Sequence, residues 1–206
     1  MKSPDLIGEI IERMTKSVRI PITLKIRLGF DTSMKNAVYI SKIAESVGAS
    51  GITVHGRTRE DFYTGKADWH TIAEVKSALS IPVVVNGDIK CYSDIEEAHE
   101  ITGCSRFMIG RAALGNPFIF NYLKQSKGND EYSNSLLHKV NVAKKHMQML
   151  IADKGEKVGI LEARKHIAWY LKGMNGAARL KKMAFELKTI DDLFKLLEFV
   201  LTNVNA

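Results

Sequence analysis

Four short apolar runs recur along the first half of the chain and predict four β-strands. They occupy residues 21–28, 50–55, 82–86 and 106–110. Each run consists of β-branched and other apolar residues and ends in polar residues or glycine, which is typical of strands buried in a parallel sheet. We therefore expect these four runs to form the core of one sheet.

Amphipathic stretches before and between these runs predict four helices. They cover residues 4–14, 36–47, 69–79 and 93–101. Ser3 is a candidate cap for the first, with Pro4 at its first position, and Ser93 is a candidate cap for the fourth, with Gly103 beyond its end. Strands that alternate with helices in this way form parallel sheets with helical crossovers.

The spacing of a short repeat favours a (β/α) barrel over a doubly wound sheet. Ile20-Pro21 and Ile81-Pro82 both lead from a helix into a strand, about 60 residues apart, which is two βα units. A complete barrel has eight strands and roughly 250 residues. The fold class that we predict is therefore α/β, a partial (β/α)8 TIM barrel of about four C-terminal βα units. Because an open parallel edge exposes unpaired backbone groups, we expect another copy or a separate N-terminal half to complete the barrel.

The second half of the chain has a different organisation and predicts a small helical bundle. A polar stretch, residues 124–135, has the composition of a linker, and no proline follows Pro117. Helical patterns then cover residues 135–153, 160–173, 176–187 and 189–200. We predict two domains, a barrel half over 1–123 and an all-helical domain over 131–206.

Composition narrows the class of protein. The chain has 206 residues, of which 45% are hydrophobic and 26% charged, as in soluble globular proteins. No apolar run approaches the ~18 residues of a membrane span, and the N-terminus lacks a secretory signal, so we expect a cytoplasmic protein. Cys91 and Cys104 are too few for a disulfide framework or a metal site, and we predict no metal.

The positive charge is concentrated in the last third of the chain. Residues 1–130 hold 17 Lys and Arg against 15 Asp and Glu, a net +2, whereas residues 131–206 hold 13 against 8, a net +5. This asymmetry favours a polyanionic partner, most simply a nucleic acid, that contacts the C-terminal segment. The alternative is a basic surface that serves solubility alone.

Polar residues of the first half cluster where the predicted strands end. Catalytic and ligand-binding groups of (β/α) barrels lie at these ends. The candidates are Lys25 in the first strand, His55 with Arg57 and Arg59 after the second, Asn86, Gly87 and Asp88 after the third, and Gly110 and Arg111 after the fourth.

These candidates also have simpler explanations. Lys25 could extend along the sheet to water, His55 could be a hydrogen-bonded structural histidine, and residues 86–88 could be a tight turn. However, the last two loops of a barrel commonly bind phosphate through backbone N–H groups. The pattern thus favours an anion site at residues 86–88 and 110–111.

Several strings of residues resemble a known family. The tRNA-dihydrouridine synthases have closely similar motifs, and the bacterial B-type members have a helical domain with a segment like 164–173. The matching strings are TVHGRTR at 53–59, YTGKADW at 63–69, PVVVNGDI at 82–89, MIGRAALGNP at 108–117 and RKHIAWYLKG at 164–173.

The resemblance implies a flavin enzyme that reduces uridine to 5,6-dihydrouridine in tRNA with FMN and NADPH. The residues that it implies for FMN are Lys25, His55, Asn86, Gly87, Asp88, Gly110 and Arg111. The family's catalytic cysteine loop would precede Met1, so we expect no catalytic acid in this chain, no such role for Cys91 or Cys104, and little activity of the chain alone. The resemblance does not indicate which tRNA uridine is the target.

A basic face with an embedded aromatic residue predicts RNA contact in the helical domain. At helical spacing one face carries Glu162, Lys165, His166, Trp169 and Lys172. The residues that we predict to bind tRNA are Arg57, Arg59, Arg164, Lys165, His166 and Lys172. The alternative is that Trp169 belongs to the core and the lysines form a solvated face.

Two other functions remain open at this point. The chain could be a non-catalytic tRNA-binding or half-barrel assembly module. It could also be another FMN-dependent TIM-barrel oxidoreductase that acts on free pyrimidines, in which case the basic helical segment would have no role in activity.

Overall fold

A computed structural model of the protein describes residues 1–123 and 135–204. The chain divides into two compact units, Met1–Gly110 and Arg111–Ala206. The first contains a parallel sheet with helices, and the described residues of the second are helical. The α/β class is thereby confirmed.

The first unit is built on one four-stranded parallel sheet with the order β1-β2-β3-β4. This confirms the parallel arrangement predicted from the alternation of strands and helices. The strands are shorter than the apolar runs. They span Thr23–Arg27 (β1), Gly51–His55 (β2), Val83–Asn86 (β3) and Phe107–Met108 (β4).

Four helices alternate with these strands, as predicted. They span Pro4–Ser17 (α1), Ala37–Ser46 (α2), Trp69–Ser77 (α3) and Tyr92–Thr102 (α4). The predicted cap of α4 is wrong, because Cys91 rather than Ser93 occupies the cap position. The Asp94 carboxylate accepts hydrogen bonds from the backbone N–H groups of Lys90 and Cys91 there.

The strand register separates a buried face of the sheet from a polar one. Ile26, Val54 and Val85 occupy equivalent positions on three neighbouring strands and are 6% exposed or less. Side chains on a strand alternate between the two faces, so the residues between them point the other way. The sheet therefore buries its aliphatic side and presents a different set of side chains on the opposite side.

The second unit begins with a short 3-10 turn, Arg111–Ala113, followed by five described helices. These span Ile119–Tyr122 (α5), Leu136–Lys154 (α6), Glu156–Tyr170 (α7), Ala177–Glu186 (α8) and Ile190–Asn203 (α9). Most of the predicted linker lies outside the described residues. Ile160, Ala163, Ile167 and Leu171 are buried in the core of this unit.

None of the helices in the described ranges combines the length and the apolar composition that a membrane span requires.

Candidate functional site

Polar side chains meet on one face of the sheet at the C-terminal ends of the strands. Arg27 on β1 lies in register with His55 on β2, which lies in register with Asn86 on β3. Lys25 and Thr53 form the next pair on the same face. We call these five residues the polar face. Of the predicted cofactor residues, the fold therefore brings Lys25, His55 and Asn86 to one surface.

Lys25 lies on β1, the strand at one edge of the four-stranded sheet. The residue is exposed overall, but its ammonium is partly desolvated beside neighbouring strand atoms. This desolvation, together with repulsion from Arg27, lowers the pKa of Lys25. An anionic or electron-rich group bound beside this ammonium would stabilise its charged form.

His55 is a buried, uncharged imidazole among cations. It is 7% exposed. Desolvation lowers its pKa to about 4, and repulsion from Arg27, Lys25 and Arg57 contributes. His55 is therefore neutral at physiological pH and offers one hydrogen-bond donor and one acceptor.

Residues 86–88 form a tightly turned segment directly after β3. The Asn86 side chain donates a 2.9 Å hydrogen bond to the carbonyl of Met108 on β4. Gly87 has φ +117° and Asp88 φ +58°. A Cβ on Gly87 would lie 3.0 Å from Cδ2 of His55 and 2.9 Å from Cβ of Ala67, so glycine permits this turn to pack against the imidazole.

Arg57 is a buried anchor and not the exposed cation that its position in the motif suggested. Its side chain is 2% exposed and pairs with the Asp88 carboxylate at 2.7 Å. It also donates to the carbonyls of Thr64 and Gly65, at 2.9 and 2.7 Å. Asp88 additionally accepts a 2.8 Å hydrogen bond from the Ala67 amide. Arg57 is therefore buried and paired rather than available to RNA, and Asp88 is bonded to the loop that carries it.

Gly110 and Arg111 lie on either side of the boundary between the two units. Within the part of the chain that the structure describes, no atom lies within 4 Å of the position that a Cβ on Gly110 would take. Arg111 is exposed and opens the 3-10 turn of the second unit.

A basic pocket of about 620 Å³ lies within the second unit. Its lining includes the cations Arg111, Lys139 and Lys172 together with Trp169, and no described carboxylate lines it. The Lys172 ammonium lies 5.8 Å from the centre of the Trp169 ring. Sequence reasoning found Trp169 and Lys172 but missed Lys139, which lies on another helix and outside the matched motif.

The other predicted RNA-binding residues differ in their availability. Lys165 is exposed on α7. The Arg164 guanidinium instead donates two hydrogen bonds, of 2.9 and 2.5 Å, to the carbonyl of Leu187 and so joins α7 to the end of α8. His166 is half-buried, with its ring centre 4.9 Å from that of His146 on α6. Arg164 thus has a structural role that the charge pattern did not reveal.

Neither cysteine lies on the polar face. Cys104 is 1% exposed, and Cys91 Sγ is 3.1 Å from Ser93 Oγ at the start of α4. Within 1–123 and 135–204, no three His, Cys, Asp or Glu side chains are grouped so that they could hold a metal ion.

Comparison with known proteins gives a consistent result. The family model described as Dihydrouridine synthase (Dus) matches residues 1–205. A probable tRNA-dihydrouridine synthase of Rickettsia conorii is 40% identical over 185 residues, 88% of this chain and 55% of the relative. The tRNA-dihydrouridine synthase B of Pasteurella multocida is 40% identical over 176 residues, 84% of this chain and 53% of the relative. The corresponding protein of Pseudomonas aeruginosa is 37% identical over 193 residues, 93% of this chain and 58% of the relative.

Among solved structures, a mandelate oxidase variant covers 93% of this chain and 65% of its own, with 14% identity and a TM-score of 0.33. That likeness is too low to carry an argument about the fold. The chain spans about half the length of the curated relatives that it matches. Because the family model covers nearly every residue, the chain belongs to the dihydrouridine synthase family.

Proposed function

We propose that this chain forms part of a flavin-dependent tRNA-dihydrouridine synthase, which reduces uridine to 5,6-dihydrouridine in tRNA with FMN and with NADPH as the reductant. The observation that carries the proposal is the family match over residues 1–205. The polar face supports it, since it gathers Lys25, Arg27, His55 and Asn86 where a (β/α) barrel holds its ligands.

In this proposal residues 1–123 are half of a (β/α)8 barrel and residues 131–206 are a tRNA-binding helical domain. Two features support the half-barrel. The sheet has four strands, whereas a closed barrel of this type has eight. In addition, the relatives are almost twice as long as the segment that this chain matches. The remaining strands would come from a separate N-terminal half or another copy.

The polar face has donors that suit FMN. Lys25 and Arg27 are cationic, while His55 and the Asn86 amide can donate without adding charge. Among the described residues, no atom lies within 4 Å of the position of a Cβ on Gly110, which leaves room for a phosphate against the backbone. One buried donor, Nη1 of Arg57, also has no hydrogen-bond partner among the described residues.

When bound, FMN supplies the hydride that reduces the 5,6 double bond of uracil. The Lys25 ammonium would favour the negative charge of the reduced ring system, because a partly desolvated cation is stabilised by an anion. His55 would orient the ring or the uracil through hydrogen bonds while remaining neutral. We assign the proton donor to neither cysteine, since Cys104 is buried and Cys91 lies at the start of α4.

The basic pocket of the second unit is the tRNA contact that we favour there. Its three cations offer charge for phosphates, and Trp169 offers an aromatic face for a base. Lys165 is available on the same helix as Trp169. Of the predicted tRNA residues in this unit, we retain Lys165, His166 and Lys172, and Arg111 and Lys139 join them.

Titration of FMN into the purified chain tests the cofactor assignment. We expect saturable but weak quenching of flavin fluorescence, because in this proposal the chain supplies only half of the barrel. Lys25→Gln should weaken binding roughly ten- to a hundredfold, since a hydrogen bond to a charged group contributes about 1.5–3 kcal/mol.

Lys42→Gln on α2 is the matched control, because Lys42 is exposed and lies away from the polar face. Its affinity for FMN should equal that of the unaltered chain. Equal affinities of the Lys25 and control variants would remove Lys25 from the cofactor site, and a chain that shows no saturable binding would contradict the flavin assignment.

A further inference from the structure

A cluster of aromatic rings and cations lies beyond the ends of β1 and β2 in the first unit. It comprises Lys2, Phe30, Arg59 and Phe62, which we call the aromatic platform. We propose that the aromatic platform stacks unpaired bases of an RNA strand. This inference rests on the proposed function, in that it assigns the substrate RNA a contact beside the polar face.

The rings and cations of the platform lie in contact distance of one another. The Lys2 ammonium is 3.6 Å from the centre of the Phe30 ring. The Arg59 guanidinium carbon is 5.1 Å from the centre of the Phe62 ring and 5.8 Å from that of Phe30. Aromatic faces interleaved with cations are the arrangement by which proteins bind single strands without reading sequence.

Phe62 is held outward by its backbone. Its side chain is 56% exposed and its φ is +48°, a left-handed conformation that is unfavourable for a bulky residue without an amide or carboxylate. The Arg27 guanidinium donates a 3.2 Å hydrogen bond to the Phe62 carbonyl. Strained residues of this kind persist where the surrounding structure holds them and are concentrated at functional sites.

Two carboxylates near the platform, Asp31 and Asp61, are held in place by hydrogen bonds to the backbone and remain ionised. Asp61 accepts a 2.7 Å hydrogen bond from the Thr58 amide. Asp31 accepts hydrogen bonds from the Ser33 and Met34 amides at 2.8 and 2.9 Å. The Lys2 and Arg59 side chains are themselves exposed, so their charged groups can reach phosphate oxygens.

The aromatic platform lies beside the polar face, where stacking of RNA bases would assist the proposed reaction. The loop that carries Arg59 and Phe62 directly follows His55 of the polar face. An enzyme that acts on a base inside folded RNA must extrude it, which costs the stacking of its neighbours. Rings held beside the polar face would restack those neighbours and offset that cost.

Anisotropy of a fluorescein-labelled single-stranded oligouridylate, titrated with the full chain, tests the inference. We expect the chain to bind it, and Phe62→Leu to weaken binding roughly five- to a hundredfold, the range for loss of one base stack. Phe62→Trp should retain binding. Phe185→Leu is the matched control, because Phe185 is 55% exposed on α8 in the second unit, and it should bind like the unaltered chain.

Unchanged binding by Phe62→Leu, or no binding by the unaltered chain, would overturn the platform. Phe62-dependent binding to anionic phospholipid vesicles in place of RNA would also overturn it. The flavin titration separates this result from the proposed function. Loss of the platform with a Lys25-dependent flavin site leaves the enzyme proposal standing, whereas Phe62-dependent RNA binding without flavin binding leaves only the platform.

Discussion

Asp88→Asn should lower the free energy of unfolding of the first unit by about 3–5 kcal/mol, because it removes the partner of a buried charge. The Arg57 side chain is 2% exposed, and Asp88 is its ion-pair partner at 2.7 Å. The Arg57 hydrogen bonds to Thr64 and Gly65 satisfy part of the guanidinium but carry no compensating charge. Chemical denaturation followed by circular dichroism measures the loss.

The exposed pair between Lys16 and Glu12 on α1 provides the control. Its two side chains are 72% and 46% exposed, so Glu12→Gln should leave the unfolding midpoint unchanged within error. The double variant Arg57→Met with Asp88→Asn should recover part of the stability, because it removes the unpaired charge. A single Asp88→Asn variant as stable as the Glu12→Gln variant would show that Arg57 does not anchor the loop.

The stability of the chain should fall between pH 6.5 and pH 4, and His55 should account for a defined part of that fall. The folded pKa of His55 is about 4, below the usual histidine value of 6.5, so the unfolded chain takes up the proton first as the pH decreases. The stabilising effect of the neutral imidazole is complete above pH 6.5 and lost below pH 4. The full shift corresponds to roughly 3 kcal/mol, and solvent screening of the neighbouring cations reduces our expectation to about 1–2 kcal/mol.

His55→Gln, which cannot titrate, isolates this contribution. Denaturant unfolding of both proteins at pH 7.5 and pH 5 gives the pH dependence of each. Carboxylates and the other histidines, including His146, whose pKa is also lowered by burial, contribute equally to both proteins. The difference between the two proteins therefore belongs to His55, and parallel pH profiles would contradict its low pKa.

Much of the fold followed from the pattern of apolar residues. The four runs and the helices between them were found because strands buried on both sides and amphipathic helices have distinct periods. The ends were less predictable. The run at 106–110 forms only the two-residue strand Phe107–Met108, since strand length depends on pairing with the neighbouring strand, which the local pattern does not contain.

Individual site residues were harder to predict than the fold. The partners of Arg57 and Arg164 lie 31 and 23 positions away along the chain. A guanidinium bound to distant backbone or carboxylate oxygens looks, in sequence, like one available to a phosphate. The sequence therefore predicts that Arg57 binds RNA. In the structure its side chain is buried and bonded to Thr64, Gly65 and Asp88.

The central claim is that this chain carries part of the flavin and tRNA machinery of a dihydrouridine synthase. Its most direct test is a chimera in which this chain replaces the segment that it matches in the Pasteurella multocida tRNA-dihydrouridine synthase B. The chimera is expressed in cells that lack their own dihydrouridine synthases, and dihydrouridine in total tRNA is quantified by mass spectrometry. We expect dihydrouridine to form in cells that express the chimera. Lys25→Gln in the chimera should reduce its amount strongly, and Lys42→Gln should not. A folded chimera that forms no dihydrouridine, or one in which Lys25→Gln changes nothing, would contradict it.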